Sequence, residues 1–184
     1  CYDLATGDRR WRVVSEKPAT KGVACSPAVM GEHVYWGSYD GTVRCAHTDN
    51  GESLWVVKVD SHVHSSPCID VLRNCLYVGT EHSGLGMLYG KGDFVALNLL
   101  TGEEIWRTPT EGMVPCSPAL SPAGSLLVCG SNDFHIYGLN PDNGTVLWRL
   151  PTKGTVKGRA AFSEDSSIVC AVSETGWVSA HMAA

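Results

Sequence analysis

Short apolar runs separated by Asn, Gly, Asp and Thr-Gly clusters are the dominant pattern of this chain. Between residues 63 and 109 the runs are VHSSPCID, NCLYVGT, DFVALNL and EEIWRTP. Segments of this length, rich in Val, Ile, Tyr, Phe and Trp and bounded by turn formers, predict β-strands joined by hairpins. No window of about 11 residues shows a helical apolar face with caps, so a helical solenoid is not expected.

The pattern recurs. Aligned on Trp, CYDLATGDRRW (1–11), CAHTDNGESLW (45–55), ALNLLTGEEIW (96–106) and GLNPDNGTVLW (138–148) share a small residue ten places before the Trp, a polar one eight before and a Gly four before. The Trp-to-Trp steps are 44, 51 and 42 residues. Upstream and in phase stand CSPAV (25–29), SSPCI (65–69), CSPAL (116–120) and GRAAF (158–162), then VYWGSYDG (34–41), LYVGTE (76–81), LVCGSND (127–133) and VCAVSETG (169–176). Self-similarity at this period marks propellers and solenoids, and four short strands per unit fit a propeller blade whose sheet buries both faces against its neighbours.

Each repeated position then acquires a physical role. Gly7, Gly51, Gly102 and Gly144 sit in Thr-Gly or Asn-Gly turns, where positive φ is adopted without a Cβ clash. Trp11, Trp55, Trp106 and Trp148 are expected to dock adjacent blades, each bringing a large apolar area and an N–H that needs an acceptor. The small residues Cys1, Cys45, Ala96 and Gly138 are expected to face a close backbone or the Trp. Pro27, Pro67 and Pro118 should mark equivalent strand starts, with Ala160 in their place in the last unit. The strand count gives a partial blade at 1–14, blades at 21–60, 61–111 and 112–153, and a partial blade at 154–183. We therefore expect an all-β, β-propeller segment of four-stranded antiparallel blades, belonging to a larger ring of seven or eight, with a compact four-bladed ring as the alternative.

Composition narrows the function. With 43% apolar and 18% charged residues, 20 Gly and 9 Pro, the chain is globular and turn-rich. Net charge is −5 and the 14 Lys and Arg are scattered, which argues against nucleic acid as a partner, and no apolar run is long enough to span a membrane. The eight Cys include no CxxC. Cys25 and Cys116, Cys129 and Cys170, and Cys1 and Cys45 are read as equivalent positions in separate blades, too far apart to bridge. They are expected to be small buried hydrophobes, favouring a reducing compartment and leaving a periplasmic or extracellular location open. Cys68 and Cys75, flanking one turn, are the best disulfide candidates.

The pattern small-x-[D/N/H]-x-x-x-G-x-x-x-W, preceded by S-P-A and Y-V-G, resembles the pyrroloquinoline-quinone-like repeat of quinoprotein-type β-propellers over almost all of residues 1–184. Relatives of that kind include quinoprotein alcohol and glucose dehydrogenases, the lipoprotein subunit of the outer-membrane barrel assembly machine, sensor domains attached to kinases, and the propeller of a eukaryotic adenylating enzyme. Asp3, Asn98 and Asn140 match the polar position, and His47 departs from it; Met182 stands in the terminal copy. The resemblance implies a scaffold. The dehydrogenases it includes need a quinone, Ca²⁺ and a catalytic Asp, and no compact set of oxygen ligands is evident in this sequence.

Three functions are carried forward. The first is a non-catalytic scaffold, with no cofactor, catalytic residue or metal site, that binds another protein or other domains of a longer chain. The second is part of a quinone- and calcium-dependent dehydrogenase, and the third is a ligand-sensing propeller. The insertion EHSGLGMLYGKGD at 81–93, with Leu85, Met87, Leu88 and Tyr89, is the candidate binding loop. His62 and His64 share a strand face, and His82 is expected on the same rim as a polar residue. Lys157 and Arg159, at alternating positions in the last unit, are candidates for an anionic ligand or an acidic partner loop.

Overall fold

In the computed structural model, residues 1–14, 22–59, 61–82, 90–176 and 178–182 are described, with side chains described up to residue 176. The strands are β1 (Ala28–Met30), β2 (His33–Gly37), β3 (Thr42–His47), β4 (Ser53–Lys58), β5 (Cys68–Asp70), β6 (Cys75–Gly79), β7 (Gly92–Asn98), β8 (Glu104–Thr110), β9 (Ala119–Leu120), β10 (Leu127–Ser131), β11 (His135–Leu139), β12 (Val146–Pro151), β13 (Ala161–Phe162), β14 (Ile168–Val172) and β15 (Val178–Met182). They form antiparallel meanders β1-β2-β3-β4, β5-β6-β7-β8, β9-β10-β11-β12 and β13-β14-β15. Residues 1–11 add a hairpin closed by the Tyr2↔Arg9 bridge. No helix among the described residues is long and apolar enough to cross a membrane.

The core lies between sheets. Side chains alternate along a strand, so Tyr77 of β6 and Phe94 and Ala96 of β7 turn to the third sheet, in a cluster with Val114, Leu127 and Tyr137. Their neighbours Leu76, Val78, Val95 and Leu97 turn to the first sheet and meet Tyr35, Val43 and Val63. A third cluster, with Val128, Ile136, Val156, Val169 and Ala171, joins the third sheet to the fourth. Central strands buried on both faces explain why β6, and β10 up to Ser131, are apolar instead of alternating with polar residues.

Three of the four repeated Trp carry a hydrogen bond across to the next unit. Trp11 donates its indole N–H to Thr48 O at 2.6 Å, Trp55 to Leu99 O at 3.1 Å and Trp106 to Pro141 O at 3.0 Å, in each case a carbonyl of the following unit. The turn glycines have φ of 73° (Gly51), 75° (Gly102) and 72° (Gly144), and a Cβ on each would lie within 2.9 Å of the preceding unit's indole ring. The same Gly thus makes the turn and seats the Trp. Small residues face the Trp of their own sheet: Cys45 pairs with Trp55, Ala96 with Trp106 and Gly138 with Trp148. A register shift follows the small residue in all three, a repeated bulge that re-aims the indole.

At the polar position the turn is closed by Asp3 Oδ1, which accepts from the N–H of Ala5 and Thr6, and by Asn98 Oδ1, which accepts from Leu100 and Thr101. His47 departs, as its chemistry requires, and its ring lies 5.8 Å from that of His33. Pro27, Pro67 and Pro118 each precede the first strand of a sheet, and Ala160 precedes β13.

Three readings of the cysteines change, the first being that Cys1 is exposed and Cys25 and Cys170 are half-buried instead of buried. All eight are free thiols, Cys68 and Cys75 included; Cys75 Sγ instead lies 3.3 Å from Arg73 O. Cys170 pairs with Ala161, as Val128 pairs with Ala119, so its equivalent is Val128 and not Cys129. A slip of one residue transfers a side chain to the other face of the sheet. Burial raises the thiol of Cys45 to about 11 and pushes those of Cys25, Cys68 and Cys75 up as well.

Buried phenols give the fold an alkaline limit. Tyr77 Oη lies 3.0 Å from Asp70 Oδ2 and 3.2 Å from Pro141 O, and burial, with the Asp70 charge beside it, holds the phenol well above its ordinary value. Burial likewise raises Tyr35 to about 12, and Tyr137 to about 12 next to Asp133. The folded state binds these protons more tightly than the unfolded chain, whose phenols titrate near pH 10. Their contribution is therefore complete below about pH 10 and is lost above it. Urea midpoints are expected to drop between pH 8 and pH 11. Tyr77→Phe should lower stability at pH 8 by about 1 to 2 kcal/mol and soften that drop; equal pH dependence in both proteins would reject this account.

Candidate functional site

Four segments meet at one rim of the first two sheets. They are the β2–β3 turn (Tyr39, Asp40, Gly41), Lys58 at the end of β4, Ser61 and His62 in the following connection, and Glu81 and His82 after β6. Together they line a polar cleft of about 260 Å³.

Backbone pairing holds the cleft's far wall. His62 and Glu81 form an antiparallel bridge, with His62 N to Glu81 O at 3.1 Å and Glu81 N to His62 O at 2.8 Å. Next along, His82 bridges Lys91, and His82 N donates to Lys91 O at 2.7 Å. These bridges clamp the two ends of the 81–93 insertion, and an antiparallel pair extending β6 and β7 is the local form the sequence must take to return the chain to the sheet. Leu85, Met87, Leu88 and Tyr89 lie outside the described residues.

The side chains form two linked groups. His62 Nδ1 is 2.6 Å from Tyr39 O, and because a carbonyl only accepts, Nδ1 carries the proton. The Tyr39 ring lies 5.5 Å from both His62 and His64, and His64 Nδ1 is 3.3 Å from Glu81 Oε1. In the second group His82 Nε2 is 2.7 Å from Asp93 Oδ2, which also accepts from Arg107 Nη1 at 2.8 Å; Arg107 is anchored to Glu104 at 2.6 Å. Opposite these, Asp40 accepts from Arg44 Nη2 at 3.1 Å. Ser61 Oγ is buried with no hydrogen-bond partner among the described residues. Imidazoles, carboxylates and an ammonium alternate round the cleft, which suits a polar surface carrying both charges.

The three histidines named from the sequence are thus brought to one rim, His62 and His82 in the cleft itself and His64 beside it. Among the described residues no group of three or more His, Cys, Asp or Glu is arranged to hold a metal ion. Lys157 and Arg159 are elsewhere and turn apart: Lys157 Nζ is 2.7 Å from Glu174 Oε1, and Arg159 Nη2 is 3.9 Å from Cys68 Sγ. Sequence reasoning did not find Tyr39, Asp40, Lys58 or Ser61. The in-phase comparison offered a signal, because SYDG at 38–41 enters the same rim as the insertion.

A second concavity, about 730 Å³ and mainly apolar, lies between the 1–11 hairpin and the first sheet, with Trp11, Val23, Val29 and Trp36 in its lining.

Comparison with known proteins gives a family and two relatives of different kinds. The family profile described as "Outer membrane protein assembly factor BamB" matches residues 1–183. Methanol dehydrogenase (cytochrome c) subunit 1 of Methylorubrum extorquens is 27% identical over 114 residues, covering 53% of this chain and 17% of the relative. Outer membrane protein assembly factor BamB of Kangiella koreensis is 30% identical over 124 residues, covering 64% of this chain and 28% of the relative. The matched region therefore spans less than a third of either relative. Among solved structures, the computationally designed protein Ika4 superposes with a TM-score of 0.76 at 17% identity, over 97% of this chain and all of that one. The designed protein Ika8 gives 0.78 at 17% identity, over 99% of this chain and 51% of that one. Both designs share the fold.

Proposed function

Since this chain belongs to the family described as outer membrane protein assembly factor BamB, a family of quinoprotein-like propeller repeats, we propose that it is a non-catalytic propeller scaffold. It binds another protein, or other domains of a longer chain, through the rim that carries residues 81–93. The observation that supports this most is the construction of that rim: a loop inserted in one unit only, clamped by the His62↔Glu81 and His82↔Lys91 bridges beside a cleft of mixed charge. Long loops on rigid sheets are the usual carriers of recognition.

A photo-crosslinking amino acid at position 82, or at Lys91 across the bridge, is expected to give one discrete adduct in cells of the source organism. The same group at Leu100, exposed in a β7–β8 turn, serves as the control. Adducts that are equal at both places, or absent from the 82 and 91 positions, would reject the rim as the binding face.

The methanol dehydrogenase relative supports a second reading, a segment of a quinone-dependent enzyme. The residues in hand do not fit its centre. Among the described residues, the first strands of the first three sheets touch in sequence, and the positions before the four first strands hold Ser26, Ser66, Ser117 and Arg159, none of them a carboxylate. No step through quinone or calcium is assigned to this segment. Dye reduction with an alcohol by the longer parent protein, together with a quinone extracted from it, would favour the enzyme over the scaffold.

A further inference from the structure

One position of the repeat sets a nucleophile in a fixed place, and in the third unit it meets a second one. Three residues before the first strands stand Cys25, Ser65, Cys116 and Gly158 in turn. Where there is a side chain, it folds onto a glycine at the end of the second strand. Cys25 Sγ lies 3.2 Å from both N and O of Gly37, Ser65 Oγ lies 2.7 Å from N and 2.9 Å from O of Gly79, and Cys116 Sγ hydrogen-bonds the backbone of Gly130. A serine relay holds the backbone at the next residue: Ser26 N donates to Ser66 Oγ and Ser66 N to Ser117 Oγ, both at 2.9 Å.

What varies is the residue before that glycine. It is Trp36, Val78 and Cys129 in the first three sheets, and the fourth has Ala171 followed by Val172 in the glycine's place, as the pairing of Cys170 with Ala161 fixes. The third unit thus sets two thiols together. Cys129 Sγ lies 3.2 Å from Cys116 O, its thiol hydrogen-bonds the Cys116 sulfur, and Cys116 Sγ is 3.1 Å from Gly158 O of the following unit. Both cysteines are 0% exposed. The pair is nonetheless one residue deep, because Gly158 is exposed and a Cβ on it would meet nothing within 4 Å. Arg159, also exposed, brings its guanidinium to 3.9 Å from Cys68 Sγ, and its charge reaches Cys116. The hydrogen bond from Cys129, aided by that charge, holds Cys116 below the ordinary thiol range, whereas burial pushes Cys129, Cys45 and Cys68 above it.

We propose that Cys116 and Cys129 are a peroxide-sensitive dithiol that closes to an intrachain disulfide on two-electron oxidation. Cys116 is the attacking thiolate. Its sulfur bonds to one peroxide oxygen as the O–O bond breaks, and the oxygen that leaves takes up the proton Cys116 gave up and departs as water. The Cys129 sulfur then attacks the sulfenic acid on Cys116: the S–S bond forms, the S–O bond breaks, and hydroxide leaves with the Cys129 proton as a second water. Two thiols give up two electrons and the peroxide takes them. Bridging also removes the S–H that Cys116 offers to Gly158 O, a contact between the third sheet and the segment before β13. Oxidation therefore loosens the seam between the third and fourth units. Neither the rim nor residues 81–93 take part.

The test is hydrogen peroxide on the chain carrying Cys1→Ser, which removes the exposed thiol, followed by alkylation in urea and peptide mapping. A disulfide between 116 and 129 is expected, reversed by dithiothreitol and formed about tenfold or more faster than Cys45 is modified. Cys129→Val, which installs the second unit's residue, should stop at a sulfenic acid on Cys116 that dimedone traps. Cys116→Ser, again the second unit's residue, should leave Cys129 reduced. Amide exchange of residues 158–162 should quicken on oxidation and recover on reduction. An unreacted pair, a disulfide from Cys68 to Cys129, oxidation of Cys25 or Cys170 ahead of the pair, or a dimedone adduct on Cys129 in place of Cys116 would overturn the proposal. Unchanged exchange in the oxidised protein would overturn the loosening of the seam.

Discussion

Gly79→Val is expected to be among the most damaging single changes, lowering stability by about 3 kcal/mol or more. A Cβ at position 79 would lie 2.4 Å from Val114 Cγ1 and 2.5 Å from Val114 O. The first clash is with a side chain that is itself 0% exposed, and the second is with backbone, so no flexible end can yield. Overpacking a closed core costs about 1 to 3 kcal/mol when side chains can shift, and more when the backbone must. A Val also forces apart Ser65 Oγ and the Gly79 amide, which now meet at 2.7 Å. Gly79→Ala should fall between, and Val172→Gly, at an exposed place of the same register, should change stability by less than about 1 kcal/mol. Urea denaturation of the three variants checks the order. If Gly79→Val were tolerated, the approach of Gly79 to Val114 would be no more than incidental proximity.

Trp106→Ala should cost about 3 to 5 kcal/mol. Its side chain is 9% exposed, stacks on Tyr77 with centroids 5.6 Å apart and an interplanar angle of 29°, and covers Gly144. An aromatic of this size removes about 150 to 250 Å² from water, and truncation would leave a void between two sheets, because Gly144 has no side chain to fill it. Its N–H bond to Pro141 O contributes less, since Tyr77 Oη also lies 3.2 Å from that carbonyl. Trp106→Phe is therefore expected to keep more than half of the lost stability, which separates packing from hydrogen bonding. Differential scanning calorimetry on Trp106→Ala, Trp106→Phe and Trp11→Ala should rank Trp11→Ala lowest in effect, because Trp11 has an open groove on one side. A larger loss for Trp11 than for Trp106 would contradict the packing account.

The fold was legible because its joints recur as letters at fixed spacing. Trp, the turn Gly and the Pro before each first strand can be aligned by eye, and each does what its chemistry implies. The Gly-to-Val contact was less legible because its halves, such as Gly79 and Val114, lie 35 residues apart in different units, and Val is too common to announce itself. Cys129 and Cys170 show the limit of alignment by residue type: both stand in the second strand of their units, but one register step separates them and places them on opposite faces. At the rim, His62 and His64 followed from strand period and His82 from loop position. Lys157 and Arg159 lie before β13 and outside any strand, and they part company because each end finds a different partner, Glu174 for one and Cys68 for the other. Asp40 and Lys58 could not be assigned before knowing which turns share a face.

The serine relay gives the array a direction. Ser26 gives its amide proton to Ser66 and Ser66 gives its own to Ser117, so the middle serine is at once a donor to the follower and an acceptor from the forerunner. A whole unit copied in tandem brings matching halves to both new seams and needs no further substitution to fit. Growth by duplication is therefore nearly free of adjustment at the seam, whereas placing Arg159 in the fourth serine's place removes the hydroxyl acceptor and ends such interchangeability at that unit.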